Sequence, residues 1–448
     1  MSIIYDADGF AHRAAISNYD RNGYLQPAFD FSKGHVTEDF IKLLKERFFS
    51  EDAALVSTLS EEGERYSMRP AWDEFTDPPN EVYIMIGNGF DIECGLPTSY
   101  SDFLRFLEAI EKKGHGTKLH SDVQSHLADM FSINPNYDSE WNSVINNYWY
   151  EYFRTAKIKL GWVDFENEIA KVIHALENSM DLVRYHRGSM DDYVGCYSSS
   201  ELHQVIGGLL TDIESEDTLP DGSKYTTYKL LYRDLRDILL NDLNALIRGF
   251  ETYLREYVET IDVVPTANIR FLMERLEEVD QRFVLTFNYT TTFERVLKKE
   301  GIDAEFCYIH GKIGDGKSKN KMVLGIDEHL EAEGIKNLIG YAPFRKYNQR
   351  IFKATDSNYM DWLDEIEDSK TLDRMLYIFG HSIGITDKDI IGQFIKASDM
   401  RSVLFYHNDD AFSNQVSNLT AIIGLDEMIR RTGGKTHTME FRKQHTGR

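Results

Sequence analysis

The chain has 448 residues, of which 42% are hydrophobic and 28% are charged, and its formal net charge is −24. This composition is ordinary for a globular protein with two or three domains. The negative charge argues against general DNA binding, which needs a stripe of Lys and Arg residues.

Cysteine content and hydropathy narrow the class of protein further. The three cysteines are widely separated and form no CxxC pair, which is typical of a reducing cytoplasm and excludes a cysteine-built zinc site. No apolar run approaches the length of about 18 residues that a membrane span requires. The N-terminal residues also lack a secretion signal. We therefore expect a cytoplasmic protein that does not cross a membrane.

Three regions are expected along the chain. Residues 1–79 form an acidic N-terminal extension of unknown fold, which ends at a turn containing Pro78 and Pro79. Residues 80–430 form the main domain, interrupted by a mostly helical insertion at about 115–275. Residues 431–448 are rich in basic side chains, and we interpret them as a solvated tail.

Short apolar runs predict the strands of the main domain. The predicted strands are Val82–Ile86, Phe283–Phe287, Phe306–Ile309, Met322–Leu324, Met375–Phe379 and Val403–Tyr406. The runs do not alternate with polar residues, so each strand should be covered on both faces. Helical patterns separate several of them, and Ser99 with Asp102 is typical of a capping box. Together these signals predict an α/β fold with a doubly wound, mostly parallel, Rossmann-like sheet.

Polar or glycine-rich segments follow five of these strands. Because ligands bind beyond the carboxyl ends of the strands in an open α/β sheet, these segments are the first candidates for a site. They are the stretches GNGFDIECGLPTSY from Gly87, NYTTTFE from Asn288, HGKIGDG from His310, GHSIGITDKD from Gly380 and HNDD from His407.

The first of these segments has a G-x-G-x5-G spacing formed by Gly87, Gly89 and Gly95. Such glycines either let a phosphate approach the backbone or serve a tight turn that needs positive φ. Asp91 would repel a phosphate there. It should therefore face away from a diphosphate, beside a positive ring or ribose hydroxyls, unless it caps the following helix.

The later segments also leave two interpretations open. Asn288 would hold a ribose hydroxyl or a water, or cap the next helix. The imidazole of His310 has an ordinary pKa near 6.5, which suits a general base, although a histidine there could also be packed or exposed. Gly380 and Ser382 would line a nucleotide cleft, or they would form an ordinary turn before a helix whose N-cap is Thr386 or Asp387. The GHSIG stretch superficially resembles the nucleophile elbow of a serine hydrolase, but the downstream candidates for the acid and the histidine, Asp409 and His437, do not follow clear strand ends.

The motifs IGNGFDIECGLPTSYSDFL, WVDFENEI, TFNYTTTFE, YIHGKIG and YIFGHSIGITDKDI resemble those of the bacteriophage abortive infection AbiH family over residues 82–410. More distantly, the same series is similar to the sirtuin-like NAD-binding fold. In that alignment Asn288 falls on the Asn of a T-Q-N stretch, and His310 falls on the catalytic histidine. The paired CxxC motifs of sirtuin deacylases are missing, so the chain looks more like the sirtuin-like NAD hydrolases of antiphage systems.

The resemblance implies an antiphage effector that hydrolyses the N-glycosidic bond of NAD+ to nicotinamide and ADP-ribose without a metal. It gives His310 the role of base, Asn288 that of orienting ribose or water, and Asp91 a place near the positive charge. Glu166 would add a further carboxylate or lie on a solvated or structural helix face. The nucleotide-binding residues that it implies are Gly87, Asn88, Gly89, Phe90, Gly95, Gly380, His381 and Ser382.

Two other functions remain open at this point. One is a non-catalytic sensor that binds NAD+ or a related nucleotide, and the other is a nuclease-type effector, for which the sequence offers no clear set of metal-binding carboxylates. A phage-derived trigger, a partner defence protein and a second copy of the chain are the macromolecular partners left open.

Overall fold

The computed structural model describes residues 2–5, 11–14, 79–133, 141–160, 164–187, 214–218, 224–228, 232–277, 279–326, 341–369, 373–384, 387–397, 399–433 and 437–444. Most of the N-terminal extension and Thr386 therefore lie outside the described residues.

A six-stranded parallel sheet forms the centre of the main domain, in the order β10-β9-β8-β3-β6-β7. Its strands are β3 (Glu81–Ile86), β6 (Gln281–Thr286), β7 (Glu305–Tyr308), β8 (Arg374–Phe379), β9 (Met400–Tyr406) and β10 (Met439–Lys443). The chain adds β6 and β7 on one side of β3, then returns to add β8, β9 and β10 on the other side. This confirms the predicted doubly wound fold and puts the reversal of strand order between β3 and β8, where such sheets bind ligands.

Two further pairs of strands lie outside this sheet. They are β1 (Ser2–Tyr5) with β2 (Ala11–Ala14), and β4 (Glu214–Thr218) with β5 (Lys224–Tyr228). Both pairs are antiparallel.

The described part of the chain also contains α-helices, in the insertion and between the strands of the sheet. Their bounds are α1 (Asn88–Glu93), α2 (Tyr100–Glu111), α3 (Ser121–Ile133), α4 (Asn142–Ile145), α5 (Tyr148–Leu160), α6 (Phe165–Arg187), α7 (Tyr232–Tyr253), α8 (Ala267–Glu277), α9 (Thr292–Lys299), α10 (Lys346–Lys353), α11 (Tyr359–Asp368), α12 (Lys388–Lys396), α13 (Asp409–Ile423) and α14 (Leu425–Thr432). A π-helical turn, Leu254–Val258, extends α7, and a 3-10 turn, Ala342–Phe344, precedes α10. The capping box of Ser99 and Asp102 at the start of α2 is confirmed.

Both faces of the sheet are buried, which explains why the strands read as continuous apolar runs. Val82, Ile84 and Ile86 of β3 belong to one hydrophobic cluster, whereas Tyr83 and Met85 belong to the other. Alternate side chains of one strand thus enter two separate cores, one on each face of the sheet.

The structure corrects two predictions about strands. Met322–Leu324 is buried but is not a strand. Its backbone hydrogen bonds are not those of a sheet. The side chain of Gln349 exchanges two hydrogen bonds with the backbone of Leu324, and the N–H of Val323 donates to the carbonyl of His310. The solvated-tail interpretation is also wrong for Met439–Lys443, which pairs with β9 as the edge strand β10.

Gly380 is a position where the fold tolerates only glycine. Its φ is +68°, and a Cβ atom there would lie 2.2 Å from the backbone nitrogen of Phe90. We expect Gly380→Ala to lower the free energy of unfolding by roughly 2–5 kcal/mol, from left-handed strain plus overpacking. Gly301 is the matched control, because its φ is +72° and a Cβ atom would meet nothing within 4 Å. Gly301→Ala should cost about 1–2 kcal/mol in urea unfolding. Equal losses for the two variants would contradict the proposed close contact.

Candidate functional site

The predicted site residues lie at the carboxyl edge of the sheet. Thr286 of β6 pairs in register with Tyr308 of β7, so Asn288 and His310 each come two residues beyond the paired positions. Across β3, Ile86 pairs with Phe379 of β8. Gly87 and Gly380 therefore follow neighbouring strands at the point where the strand order reverses. Because adjacent strands are about 4.8 Å apart, the four segments meet at one edge.

The glycine turn after β3 packs directly on the turn after β8. The N–H of Gly89 donates to the carbonyl of Gly380 at 2.8 Å, and the N–H of Phe90 donates to that of Gly87 at 2.9 Å. A Cβ atom on Gly87 would lie 2.6 Å from the Gly380 oxygen. Close backbone packing, and not positive φ, therefore requires Gly87, whose φ is −113°. The amides of Gly89 and Phe90 are engaged within the protein.

The residues on and after these turns differ in their exposure. Asn88 and Ser382 are exposed on the turns after β3 and β8, so they can meet a ligand. The ring of Phe90 is fully buried against Phe293 and Phe379. Gly95 lies beyond the other end of α1, with a φ of +78°.

Asn288 links β6 to the glycine turn instead of capping a helix. Its Nδ2 atom donates to the carbonyl of Gly87 at 3.1 Å, and Thr291 occupies the cap position of α9. The Oδ1 atom of Asn288 is buried and has no hydrogen-bond partner among the residues that the structure describes. This oxygen is available to accept a hydrogen bond from a ligand.

Asp91 is buried in α1 and faces the turn that leads into α9. The hydroxyl of Thr290 donates to its Oδ2 atom at 2.6 Å. Burial raises the pKa of the Asp91 carboxyl to about 7, although hydrogen bonds from Thr290 and Thr292 oppose that shift. The described hydrogen-bond partners of the Asp91 carboxyl thus belong to the segment that leads from β6 into α9, and His310 is not among them. Asp91 is not a helix cap.

This raised pKa has a consequence for stability. The folded state binds the Asp91 proton more tightly than the unfolded state does, so the stabilisation is complete below about pH 4 and is lost as the pH rises towards about 7. We expect Asp91→Asn to flatten part of the fall in unfolding free energy across this window, measured by urea titration at several pH values. The same change at the exposed Asp122 serves as the control. An unaltered slope in Asp91→Asn would contradict the assignment.

His310 and His381 share one carboxylate. The Nε2 atom of His310 lies 3.2 Å from Oδ1 of Asp387, and the Nε2 atom of His381 lies 3.5 Å from Oδ2 of the same residue. The Nδ1 atom of His381 accepts a hydrogen bond from the N–H of Ile383 at 2.9 Å, so its proton resides on Nε2. Asp387 occupies the cap position of α12, but its side chain makes no capping bond there. Its carboxylate faces the two imidazoles instead.

Two cations and a second carboxylate complete this arrangement. The Nζ atom of Lys346 lies 2.8 Å from Glu166 and 3.5 Å from Asp387. Arg350 lies 3.8 Å from Asp387. We call these six residues the His310 cluster: Glu166, His310, Lys346, Arg350, His381 and Asp387. Two formal negative charges are thus balanced by two positive charges, as a buried ionic network requires.

Exposure shows from which side the His310 cluster can be reached. His310 is 4% exposed and Lys346 is 2% exposed. The side chains of Glu166 and Arg350 are 18% and 22% exposed. Solvent therefore reaches the cluster at Glu166 and Arg350, with His310 deeper inside.

The electrostatics of the cluster leave His310 neutral. Burial and the neighbouring Lys346 lower the pKa of His310 to about 4. Burial disfavours the ionised form of Asp387, but Lys346 and His310 together hold its pKa well below the usual range. The Nε2–H of His310 therefore faces the carboxylate, and its unprotonated Nδ1 has no hydrogen-bond partner within the described part of the chain. A buried nitrogen lone pair of this kind can accept a proton from a substrate or water.

Glu166 has the opposite perturbation. Burial raises the pKa of its carboxyl to about 7, while Lys346 opposes the shift. Glu166 is therefore not on a solvated helix face, and its ion pair with Lys346 is compatible both with a structural role and with that of an additional carboxylate.

Sequence reasoning missed Lys346 and Arg350, and it interpreted Asp387 as a cap. Lys346 begins α10 and follows no strand, so the strand-end rule could not indicate it. The only available signal was the alternation of basic and aromatic residues in RKYNQRIFK, which also suits a solvated helix.

Two features are absent from the described ranges. Within them, no group of three or more His, Cys, Asp or Glu side chains is arranged to hold a metal ion. No helix in the described ranges is long and apolar enough to cross a membrane.

Comparison with known protein families identifies the family of this chain. The family model described as "Bacteriophage abortive infection AbiH" matches residues 82–407. This range includes all six residues of the His310 cluster and the whole sheet apart from β10 and the first residue of β3. No curated protein matches the chain. The chain therefore belongs to the bacteriophage abortive infection AbiH family, which supports a role in phage abortive infection.

Proposed function

We propose that this AbiH protein acts in abortive infection by hydrolysing the N-glycosidic bond of NAD+ to nicotinamide and ADP-ribose. The observation that carries the proposal is the neutral His310, whose Nε2–H faces Asp387 and whose Nδ1 has no partner in the described chain. It lies at the carboxyl edge of a doubly wound sheet, where nucleotides bind in such folds.

The chemistry requires a base, a positioned water and negative charge. The water oxygen attacks C1′ of the nicotinamide ribose as the bond to the ring nitrogen breaks, and the bond electrons neutralise the departing pyridinium. The Nδ1 atom of His310 takes the proton from the water. Asp387 stabilises the resulting imidazolium and fixes the tautomer, as a carboxylate partner of a catalytic histidine does. The transition state resembles an oxocarbenium ion.

Other residues would orient the dinucleotide. The unpartnered Oδ1 of Asn288 would accept a hydrogen bond from a ribose hydroxyl or from the attacking water. The exposed Asn88 and Ser382 would contact the ligand at the crevice between β3 and β8. Because the amides of Gly89 and Phe90 are engaged, we assign the diphosphate to the more exposed guanidinium of Arg350 and leave the glycine backbone its packing role.

The direct test is to incubate the purified chain with NAD+ and separate the products by chromatography. We expect nicotinamide and ADP-ribose to appear in equal amounts, in proportion to the protein concentration. Intact NAD+ in every condition, with and without extracts of phage-infected cells, would contradict the proposal.

The burial of His310 favours a second candidate, a nucleotide sensor without catalysis. A histidine that is 4% exposed can support a binding site without reaching a substrate. Titration calorimetry separates the two functions, because a sensor would bind NAD+ tightly and release no nicotinamide over hours.

A further inference from the structure

A cavity with a volume of about 360 Å³ lies beside the GLPTSY segment and shares no residue with the His310 cluster. Its apolar lining comes from the end of α1, the following loop and the start of α3, through Ile92, Leu96 and Val123. Tyr253 of α7 adds an aromatic wall. The volume lies at the lower end of the range for small-molecule sites, which suits a mononucleotide-sized ligand.

The cavity carries a local excess of basic side chains in a chain whose net charge is −24. Arg105, Lys118 and His120 line it, together with one acid, Asp102. Asp102 is already engaged, since it pairs with Arg105 at 3.1 Å and closes the capping box with Ser99. Lys118 therefore adds a positive charge that the lining acid does not offset, whereas His120 lies 3.9 Å from the carboxylate of Asp122. An anion beside Lys118 would supply the missing charge.

We propose that this cavity is a second ligand site, which binds a small organic phosphate with an apolar or planar body. The phosphate would pair with Lys118, with the Arg105 guanidinium and His120 nearby. The body would contact Leu96, Val123 and the Tyr253 ring. A ligand that has only the charge or only the body should bind more weakly, because the lining provides partners for both parts.

The site has a physical connection to the candidate crevice. The hydroxyl of Tyr253 donates to the carbonyl of Pro97 at 2.8 Å, and the hydroxyl of Thr98 donates to Oδ1 of Asn88 at 2.7 Å. A ligand in contact with Leu96 and Pro97 would therefore touch a loop whose next residue, Thr98, is hydrogen-bonded to Asn88. Asn88 is exposed directly after the turn that follows β3.

The test uses titration calorimetry on the full chain with three probes: UMP, uridine and inorganic phosphate. UMP carries both parts of the proposed ligand, uridine has only the body, and phosphate has only the charge. We expect UMP to bind at least about tenfold more tightly than either of the other probes. Lys118→Glu should weaken UMP binding about tenfold or more, because an attractive contact becomes repulsive. The exposed Lys112 does not line the cavity, so Lys112→Glu is the matched control and should leave binding unchanged.

Several outcomes would overturn this proposal. They are equal affinities of UMP and uridine, equal losses in the two lysine variants, or no UMP binding up to about 10 mM. A His310→Gln variant separates the two sites. If His310→Gln abolished UMP binding while Lys118→Glu preserved it, the ligand would belong to the His310 cluster. The experiment measures binding and needs no turnover, so a failure of the NAD+ hydrolysis proposal would not affect it.

Discussion

His310→Gln is expected to lower the rate of NAD+ hydrolysis by about 10²–10⁴-fold, the usual contribution of a general base. Glutamine keeps an N–H donor for Asp387, which lies 3.2 Å from the histidine, but it has no basic nitrogen. The fold should therefore survive while turnover is lost. Nicotinamide release measures the rate, and urea unfolding checks that the variant is folded.

His407 provides a matched control for this variant. It follows β9 as His310 follows β7, but it is exposed and lies outside the His310 cluster. His407→Gln should retain the wild-type rate. Equal rates for His310→Gln and the wild-type chain would remove His310 from the role of base.

Lys346→Met is expected to lower the free energy of unfolding by about 3–5 kcal/mol, the usual cost of leaving a buried charge without its partner. Lys346 is the cation between Glu166 and Asp387, at 2.8 and 3.5 Å from them, and its ammonium is almost completely buried. Removing it leaves two carboxylates facing each other in a site with little solvent. Chemical denaturation at about pH 9 measures the loss, because the Glu166 carboxyl, whose pKa is about 7, is ionised there in the wild-type chain.

Two further variants isolate the cause of that loss. Lys312 pairs with Glu294 at 3.6 Å, with side chains 47% and 44% exposed, so Lys312→Met should cost less than about 1 kcal/mol. In Glu166→Gln/Lys346→Met, one of the orphaned carboxylates is neutralised, and part of the stability should return. If Lys346→Met cost no more than Lys312→Met, the buried network would not need its lysine.

The sheet and its carboxyl edge were predictable because their signals are local. Continuous apolar runs predicted strands that are buried on both faces. Because parallel strands bring their carboxyl ends together, the position of His310, His381 and Asn288 at this edge was predictable. Met322–Leu324 failed because an apolar run shows burial, while Gln349 and loop residues supply its backbone partners. The edge strand β10 was missed because its basic residues concealed the alternation of Met439 and Phe441.

The charged half of the site was not predictable in the same way. Glu166 comes from a helix of the insertion, and Lys346 begins a helix in the connection between β7 and β8. Their meeting depends on long connections whose paths no local pattern records. Asp387 shows the limit most clearly, since a cap position predicts a bond to backbone N–H groups, whereas two histidines and Lys346 attract its carboxylate instead. The similarity to sirtuin-like NAD hydrolases stays a prediction.

A structure of the chain with a non-hydrolysable NAD+ analogue tests the central claim most directly. We expect one water to lie between His310 Nδ1 and C1′ of the nicotinamide ribose, donating a hydrogen bond of about 3 Å to Nδ1 with its oxygen about 3 Å from C1′. We also expect that Asn88 and Ser382 contact the dinucleotide at the crevice between β3 and β8. An analogue bound with C1′ more than about 10 Å from His310, too far for one water to bridge, would contradict the account.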